Sequence, residues 1–453
     1  MGLCPGVGKI GAGASANDLQ LNYAREKVYG EVPAVRFKSM RVTSESLSIT
    51  EDTTNDSEIR NDRMGGTPIR TALNVGGQIG IEPSYRNFED FKEGAMFSCW
   101  QDILEINATD VAFNSTDKTI SLSNNKVSNL NIGDRLFIRG SAKNDGEYTI
   151  AKIASNNITV EEEIITESIG ASVIVSAIKL TFSAGDIKFD SVDNSINSTV
   201  FDFSSLNLIS EQYIKVLGTS KNNKDFKIKS ISTNKNAAGK VSIGGSRLRN
   251  GVVNHSFMFE KSQVPTEFYK YTGMMVSEFG LNIATGAVLN GSMTFVGKSE
   301  VPAVANTASV GEVKKAYDTK NYNSVSDIGE VSVNGTKASA AVQDLSFTIN
   351  NNIEQQKQIG SLENAGVFAG NCDISGTISL YYKDKSIYES FLAEDNKTIS
   401  FPVVFDNKGY RYTINAKLTN PAKNTEGVNQ SIIQQYTLTG IPLHGFKMEI
   451  DRF

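Results

Sequence analysis

Residues 344–350 read DLSFTIN, and their alternation decides the fold. Leu345, Phe347 and Ile349 fall on one side of an extended chain, Asp344, Ser346 and Thr348 on the other. The same period of two runs through RYTINAKL (411–418), where Tyr412, Ile414, Ala416 and Leu418 oppose Arg411, Thr413, Asn415 and Lys417. In NCDISGTISLYY (371–382), Ile374, Ile378 and Leu380 oppose Asp373, Ser375, Thr377 and Ser379. Such strands bury one face and solvate the other, as antiparallel sheets do, and clusters of Asn, Ser, Thr and Gly between them supply turns. The chain is therefore expected to be all-β. Four hairpins are read from the pattern: about 40–50 with 76–82, 274–284 with 288–297, 343–352 with 370–382, and 410–418 with 432–441.

Two short helices are expected among the strands. In PSYRNFEDFKEGAM (83–96), Asn87 is the expected cap, Asp90 stands at the third position, and Phe88 and Phe91 lie one turn apart. In KDKSIYESFLAED (383–395), Ser386 and Glu389 form a capping box ahead of an apolar side of Ile387, Tyr388, Phe391 and Leu392. Each helix follows a strand with a short glycine element, GGQIGIEP or SGTISLYY. Each such strand is preceded by an alternating one, near Leu47 or Leu345. This reads as an internal duplication about three hundred residues apart. A second repeat has an offset of 78, from 218 − 140. It carries Leu130 to Leu208, Ile138 to Val216, Gly140 to Gly218, Lys143 to Lys221, Asn144 to Asn222, Tyr148 to Phe226, Ile150 to Ile228 and Ile153 to Ile231. That period is too long for a solenoid and marks two small β-modules in tandem. The expected organisation is an N-terminal Gly/Ala-rich arm (1–29), a discontinuous first sandwich (30–103 and 250–300), module 1 (104–178), module 2 (179–249) and a second sandwich (301–453). The stretch 302–327 has few strand signals and reads as a long loop or linker.

Composition narrows the function. A chain of 453 residues with 39% hydrophobic and 21% charged residues can bury ordinary cores. A net charge of −5 argues against a protein that grips nucleic acid, which carries a basic patch. Cys4, Cys99 and Cys372 are far apart and odd in number, so neither a disulfide framework nor a zinc spacing is present and a reducing compartment is expected. No apolar run reaches signal-peptide or membrane-span length, which places synthesis in the cytoplasm and gives no membrane partner.

The chemistry-bearing motifs are weak. His255 and His444 are the two histidines and neither has triad or metal partners at ligand spacing, so both read as structural or surface residues. Gly6-Val7-Gly8-Lys9-Ile10-Gly11 matches a dinucleotide fingerprint in letters, but five residues cannot form the preceding strand it needs. Carboxylates are numerous, yet no cleft-forming pattern pairs two of them, and Trp100 is the single tryptophan for sugar stacking. Glu161-Glu162-Glu163 reads as an exposed strand end before it reads as a cation site. Tyr148 and Phe226 fall in the core phase of their strands, which favours packing over base stacking. No catalytic, cofactor or metal residue is therefore expected. A host-binding or decoration protein and a carbohydrate-active enzyme are the rival classes, the second the weaker.

Three segments resemble the tail tube (major tail) protein family of long-tailed phages. EVPAVRFKSMRVTSESLSITEDTTNDSEIRNDRMGG (31–66) is similar to that family's entry strand, acidic loop and S-x-E-I-R-x-D-R signature, here Ser57, Glu58, Ile59, Arg60, Asp62 and Arg63. FYKYTGMMVSEFGLNIATGAVLNGSMTFVGKS (268–299) resembles its central motif, and 350–395 its closing unit. The paired modules match inserts found in it. The resemblance covers about three quarters of the chain in the expected order. It implies two tube-type β-sandwiches contributing hairpins to a ring-shaped β-barrel, with the modules outside. It implies a virion component that stacks in rings around a lumen through which double-stranded DNA passes. Tape measure, tail terminator and tip proteins are its implied partners, and no cofactor is. A doubled chain could occupy two positions of a six-fold ring, so a trimer is favoured over a hexamer. A DNA conduit suits acidic walls. Glu82, Glu278, Asp344 and Asp373 are the candidate lumen residues, with plain exposure on an outer sheet as the alternative. Glu58, Ile59, Arg60, Asp62 and Arg63, with the N-terminal arm, are the candidates for ring stacking.

Overall fold

The computed structural model describes residues 16–453 apart from 59–60, 62–65, 109–110, 123–129, 142, 168–172, 183–185, 191–194, 199–201, 211, 220–221, 223, 232–240, 265–266, 384, 386–387, 390–391, 425–427 and 429. Outside the modules the principal strands are β1 (Gln20–Arg25), β2 (Ser44–Glu45), β3 (Ser48–Thr54), β4 (Ile69–Ile81), β5 (Gln101–Asp102) and β6 (Ser246–Arg249). They continue as β7 (Phe257–Val264), β8 (Glu267–Ala284), β9 (Asn290–Gly297), β10 (Val342–Asn350), β11 (Ile353–Lys357) and β12 (Asn364–Ala369). The last are β13 (Asp373–Tyr381), β14 (Asn396–Phe405), β15 (Lys408–Asn424), β16 (Ile433–Gly440) and β17 (Met448–Arg452). A helix, α1, spans Glu89–Met96. The chain is all-β, and the four expected hairpin pairings are all present.

Two compact units form. The first takes residues 16–97, Val253–Ser324 and Gln343–Ser379, the second Ser98–Val252, Val325–Val342 and Leu380–Phe453. The cut therefore does not fall at residue 301. Residues 344–350 of β10 join the first unit because they pair with 278–284 of β8. The stretch read as a loop or linker is pinned to the first unit by backbone bonds: Val310 N–H to Val35 O, Lys314 N–H to Phe37 O, Tyr322 N–H to Pro83 O and Ser324 N–H to Ala287 O.

In the first unit β2 and β3 pair with β4, β4 with β9, β9 with β8 and β8 with β10, while β10 lies beside β13. Alternation gives this sheet an apolar side. Ile79, Met293, Phe279 and Ile349 form one cross-strand row of it, all at most 2% exposed. On the helix that belongs to this core, Phe91 is fully buried. Its ring centroid lies 4.5 Å from Tyr23, 4.9 Å from Phe257, 5.7 Å from Phe259 and 5.6 Å from Phe295. A Cβ on Gly94 would stand 2.9 Å from the Phe257 ring, so glycine is what lets the helix come this close. The expected cap is not used. Phe88 takes the cap position with no side-chain bond. Asn87 is drawn away, donating to Ser84 Oγ (2.7 Å), Tyr317 O (3.0 Å) and Thr319 Oγ1 (3.1 Å).

Charges gather at the rim of this core. Asp90 accepts from Lys38 Nζ at 2.7 Å, Tyr23 Oη at 3.0 Å and Arg25 Nη2 at 3.2 Å, and Arg25 also pairs with Glu93. Burial alone would raise the Asp90 carboxyl, but Lys38, Arg25 and their bonds hold it well below the usual carboxylate range.

In the second unit, module 1 is a seven-stranded sheet built from strands between Leu104 and Ala177, and module 2 a four-stranded sheet between Lys179 and Gly244 with a separate two-stranded ribbon. Buried residues from Ile103 to Val216 form one core across both. The 78-residue offset recurs in three dimensions. Gly140 and Gly218 have φ of 84° and 86°, and Ser141 Oγ accepts from Asn144 N–H as Thr219 Oγ1 does from Asn222 N–H, both at 2.7 Å. Lys221 lies outside the described residues. Tyr148 and Phe226 both pack on the core. The glutamate run follows a strand end. Glu162 accepts from Thr149 N–H at 2.7 Å, and Glu163 pairs with Lys118. Strand β17 is buried throughout between β15 and β6. From it Arg452 reaches Asp102 of β5 and Ser246 Oγ (2.8 Å), and stacks on Trp100 at 4.5 Å and Phe137 at 4.6 Å.

The longer duplication also has a structural counterpart. A Cβ on Gly77 would stand 2.5 Å from Ser46 O and 2.8 Å from Leu47 Cα; one on Gly376 would stand 2.1 Å from Ser346 O and 3.0 Å from Phe347 Cα. The meander β7–β8–β9 is matched by β14–β15–β16. Tyr269-Lys270-Tyr271-Thr272 answers Tyr410-Arg411-Tyr412-Thr413, and Thr294–Gly297 (TFVG) answers Thr437–Gly440 (TLTG). Phe259 faces Tyr271 as Phe401 faces Tyr412. Both central strands are bulged once against the next, between Val276 and Glu278 and between Thr419 and Ala422. After β13, Tyr388, Glu389 and Leu392 are helical and Glu389 N–H bonds Lys385 O at 2.8 Å. Ser386, Ile387 and Phe391 of that expected helix lie outside the described residues.

Two outcomes are expected. Asp90→Asn should cost about 2 kcal/mol at neutral pH, below the 3–5 kcal/mol of a fully buried pair because Arg25 and Lys38 keep 30% and 33% exposure. A carboxyl depressed on folding stabilises fully above its unfolded pKa near 4, and that contribution is lost as pH falls further. Urea unfolding should therefore show the gap to wild type narrowing steadily as pH falls below about 4. Gly376→Ala should cost about 2 kcal/mol or more in thermal unfolding, since the obstructing atom is backbone; an unchanged midpoint would refute the close approach.

Candidate functional site

The polar side of the first unit's sheet is the candidate functional surface. Its rows are set by register. Gln78, Thr294, Glu278 and Asn350 stand side by side on β4, β9, β8 and β10. The next row is Gly80, Ser292, Gly280 and Thr348, and the next Asn290, Asn282 and Ser346. Ser346 Oγ meets Thr377 Oγ1 of β13 at 2.9 Å. The rows hold hydroxyls, carboxamides, two glycines and one carboxylate, and neither lysine nor arginine. Every other residue along these strands is on the buried side, so the polar face is backed by a packed core. Glycine keeps the middle row low. The hydroxyls of Ser44 and Thr43 would lie 2.4 and 2.7 Å from a Cβ on Gly80, and that of Thr348 3.3 Å from one on Gly280.

The four candidate carboxylates have different surroundings. Glu278 stands in the first row, half-buried, accepting from Asn350 Nδ2 at 3.0 Å and Thr294 Oγ1 at 3.4 Å. Asp344 lies at the end of β10, where Thr285 N–H bonds it at 3.3 Å. Asp373 is exposed at the start of β13 and accepts from Asn352 Nδ2 at 2.8 Å. Glu82 follows β4 and takes Asn321 Nδ2, whose Oδ1 in turn accepts from Arg41 Nη2 at 2.8 Å. Asn321 of the pinned loop thus links it to the Arg41 guanidinium ahead of β2. The structure brings Glu278 into the rows, sets Asp344 and Asp373 at strand ends, and ties Glu82 elsewhere. The neutral members, Ser292, Thr294, Asn282 and Asn290 among them, were legible by alternation, but a search for charge passes over them.

The hairpin β3–β4 extends past this sheet as an arm. All seven residues of β3 are exposed, and Ile49 and Ile69 are 39% and 57% accessible. A second hairpin, β11–β12, lies against it through Lys357 Nζ on Asp52 Oδ2 (2.7 Å) and Leu73 N–H on Leu362 O (2.9 Å). Ile359 and Phe368 on that hairpin are also exposed. Of the candidate stacking residues, Glu58 is exposed beyond the arm. Ile59, Arg60, Asp62 and Arg63 lie outside the described residues, as does the glycine-rich stretch at 6–11.

The sheet thus has one packed side and polar rows without lysine or arginine, built into a duplicated all-β chain. The family model for phage tail tube protein matches residues 16–440. The chain belongs to the phage tail tube protein family. No curated protein matches it. As a tail tube protein it is a structural component of the phage virion, and its family is not one of enzymes. Among the described residues no helix is long and apolar enough to cross a membrane.

Proposed function

We propose that this tail tube protein polymerises with copies of itself as stacked rings, and that the polar rows around Glu278 line the lumen through which the phage genome leaves. The observation that carries the reading is the absence of any cation from rows that a packed core holds rigid. Duplex DNA binds proteins chiefly through phosphate contacts to lysine and arginine, and each such contact adds salt-sensitive affinity. A wall of hydroxyls and amides with sparse carboxylates offers hydration and mild repulsion instead, so the duplex passes without being held. Asp344 and Asp373 add negative charge at the ends of the rows, whereas Glu82 contributes less because Arg41 is coupled to it.

The duplication extends the proposal. Each half supplies one tube sandwich, so three chains close a ring of six-fold pseudosymmetry. The two modules project outside, and the β3–β4 arm with residues 58–63 and the N-terminal arm stack one ring on the next. The protein is made in the host cytoplasm, assembles on a tape measure protein, and meets terminator and tip proteins at the tube's ends.

Electron microscopy of the purified chain should show hollow tubes with three chains per ring; six whole chains per ring would refute the pseudosymmetric closure. Cell binding without tubes would instead support a host-binding protein. Tubes carrying Glu278→Lys should assemble but retain duplex DNA at about 50 mM salt and release it by about 200 mM. Wild-type tubes should retain none at either salt, and an unaltered affinity in the variant would place this face outside the lumen.

A further inference from the structure

The duplication fixes which strands of neighbouring chains meet. Inside the first unit, β8 and β10 join the two halves of the repeat, with Glu278 opposite Asn350, Gly280 opposite Thr348 and Asn282 opposite Ser346. The counterpart of β10 is the β2–β3 stretch, aligned by the glycine contacts that match Ser346 with Ser46 and Phe347 with Leu47. The counterpart of β8 is β15. Gly280 faces Ser292 where Ala422 faces Gln435, and Asn282 faces Asn290 where Asn424 faces Ile433. The Thr294–Gly297 and Thr437–Gly440 match anchors that alignment.

Both counterparts have an edge on which no described strand is paired. Among the described strands β3 pairs only with β4, and from Leu418 onward β15 pairs only with β16. The apolar groups there are left short of cover. Ile349 is 1% exposed beside β8, whereas its counterpart Ile49 is 39% exposed; Val276 is fully buried, whereas its counterpart Leu418 is only half-buried. A strand edge of this kind accepts another strand.

We infer that β3 of one copy adds antiparallel to residues 418–424 of β15 in a second copy, in the register of the β8–β10 junction. Ser48 then faces Ala422, and Ser46 faces Asn424. This rests on the ring reading above and names the segments and register by which a ring closes. Pro421 has no N–H to offer, so the junction carries fewer bonds than a full ladder. In the free chain the same proline blunts the edge against indiscriminate pairing. The Ser48–Ala422 pair should be the closer, non-hydrogen-bonded kind. Its intrachain counterpart Gly280–Thr348 lies three residues along each strand from the bonded pair Asn351 N–H to Ser277 O.

The test is a disulfide. In a chain with Cys4, Cys99 and Cys372 changed to serine, Ser48→Cys with Ala422→Cys should give covalent multimers on oxidation of assembled tubes, cleaved by reductant. Asp52→Cys with Ala422→Cys, displaced by four residues or about 13 Å, should give none. Tubes that form without the first cross-link, or with the second equally, overturn this junction and leave the ring reading standing. If the wild-type chain forms no tubes, the ring reading fails and the junction with it. Should the cysteines block assembly, hydrogen exchange on the wild type decides. Amides of 46–52 and 418–424 should slow about tenfold or more between free chain and tube, and unchanged exchange in either segment overturns the inference.

Discussion

The register of β8 is the constraint on which the first unit depends. This one strand pairs with β7, β9 and β10. Along it Phe279, Leu281 and Ile283 face the core while Glu278, Gly280 and Asn282 face away. A slip of one residue would exchange the two sets, since side chains alternate with a period of two. Burying those three apolar groups is worth roughly 1.5–3 kcal/mol each, so the correct register is favoured by several kcal/mol before any neighbour responds. The neighbours do respond, because Met293 and Ile349 lie in the same row as Phe279. The smooth polar face is therefore a consequence of the core: whatever fixes Phe279 inward fixes Glu278 outward.

Both units close with charges rather than with apolar contact alone. In the first, Asp90 at the start of α1 collects Tyr23, Arg25 and Lys38 from the N-terminal strands. In the second, Arg452 near the end of the chain meets Asp102, whose other oxygen accepts from Ser176 Oγ of module 1 at 2.6 Å. Such pairs contribute modestly to net stability, but removing one partner strands the other. They act as registration pins, tying segments far apart in sequence into one arrangement.

How much of this could be read in advance follows from the range of the forces. Alternation is local, and DLSFTIN and RYTINAKL give their strands and faces directly. The turn shared by Gly140 and Gly218 is local too, and its sequence survives duplication because a positive φ and a Ser/Thr–Asn bond both need particular residues. Asn87 misleads, since its cap signal is genuine but the amide finds better partners at Tyr317 and Thr319, some 230 residues on. Glu82 is similar: alternation places it on the polar side, and only the pinned loop supplies Asn321, which carries the Arg41 guanidinium with it. The β7–β8–β9 and β14–β15–β16 equivalence is nearly invisible in letters because packing asks for apolar residues in phase, not for particular ones. It surfaces only in fragments such as YKYT and YRYT.

Duplication changes the physics of the proposed ring. Two halves in one chain turn one of every two strand junctions into an intramolecular contact, formed at the effective concentration of a tether rather than of free subunits. That internal junction can be well packed, as the buried Ile349 is, because it forms once, during folding. In that ring the junctions left between chains would face the opposite demand. They must stay open in the free subunit without pairing at random, and then pair in one register during assembly. An edge rich in Ser, Thr and Asp on β3 and a proline in the β15 bulge meet the first demand by lowering the gain from a misplaced strand. Ile49 and Leu418 would meet the second, since each would gain full burial only where the phase of the neighbouring strand is right.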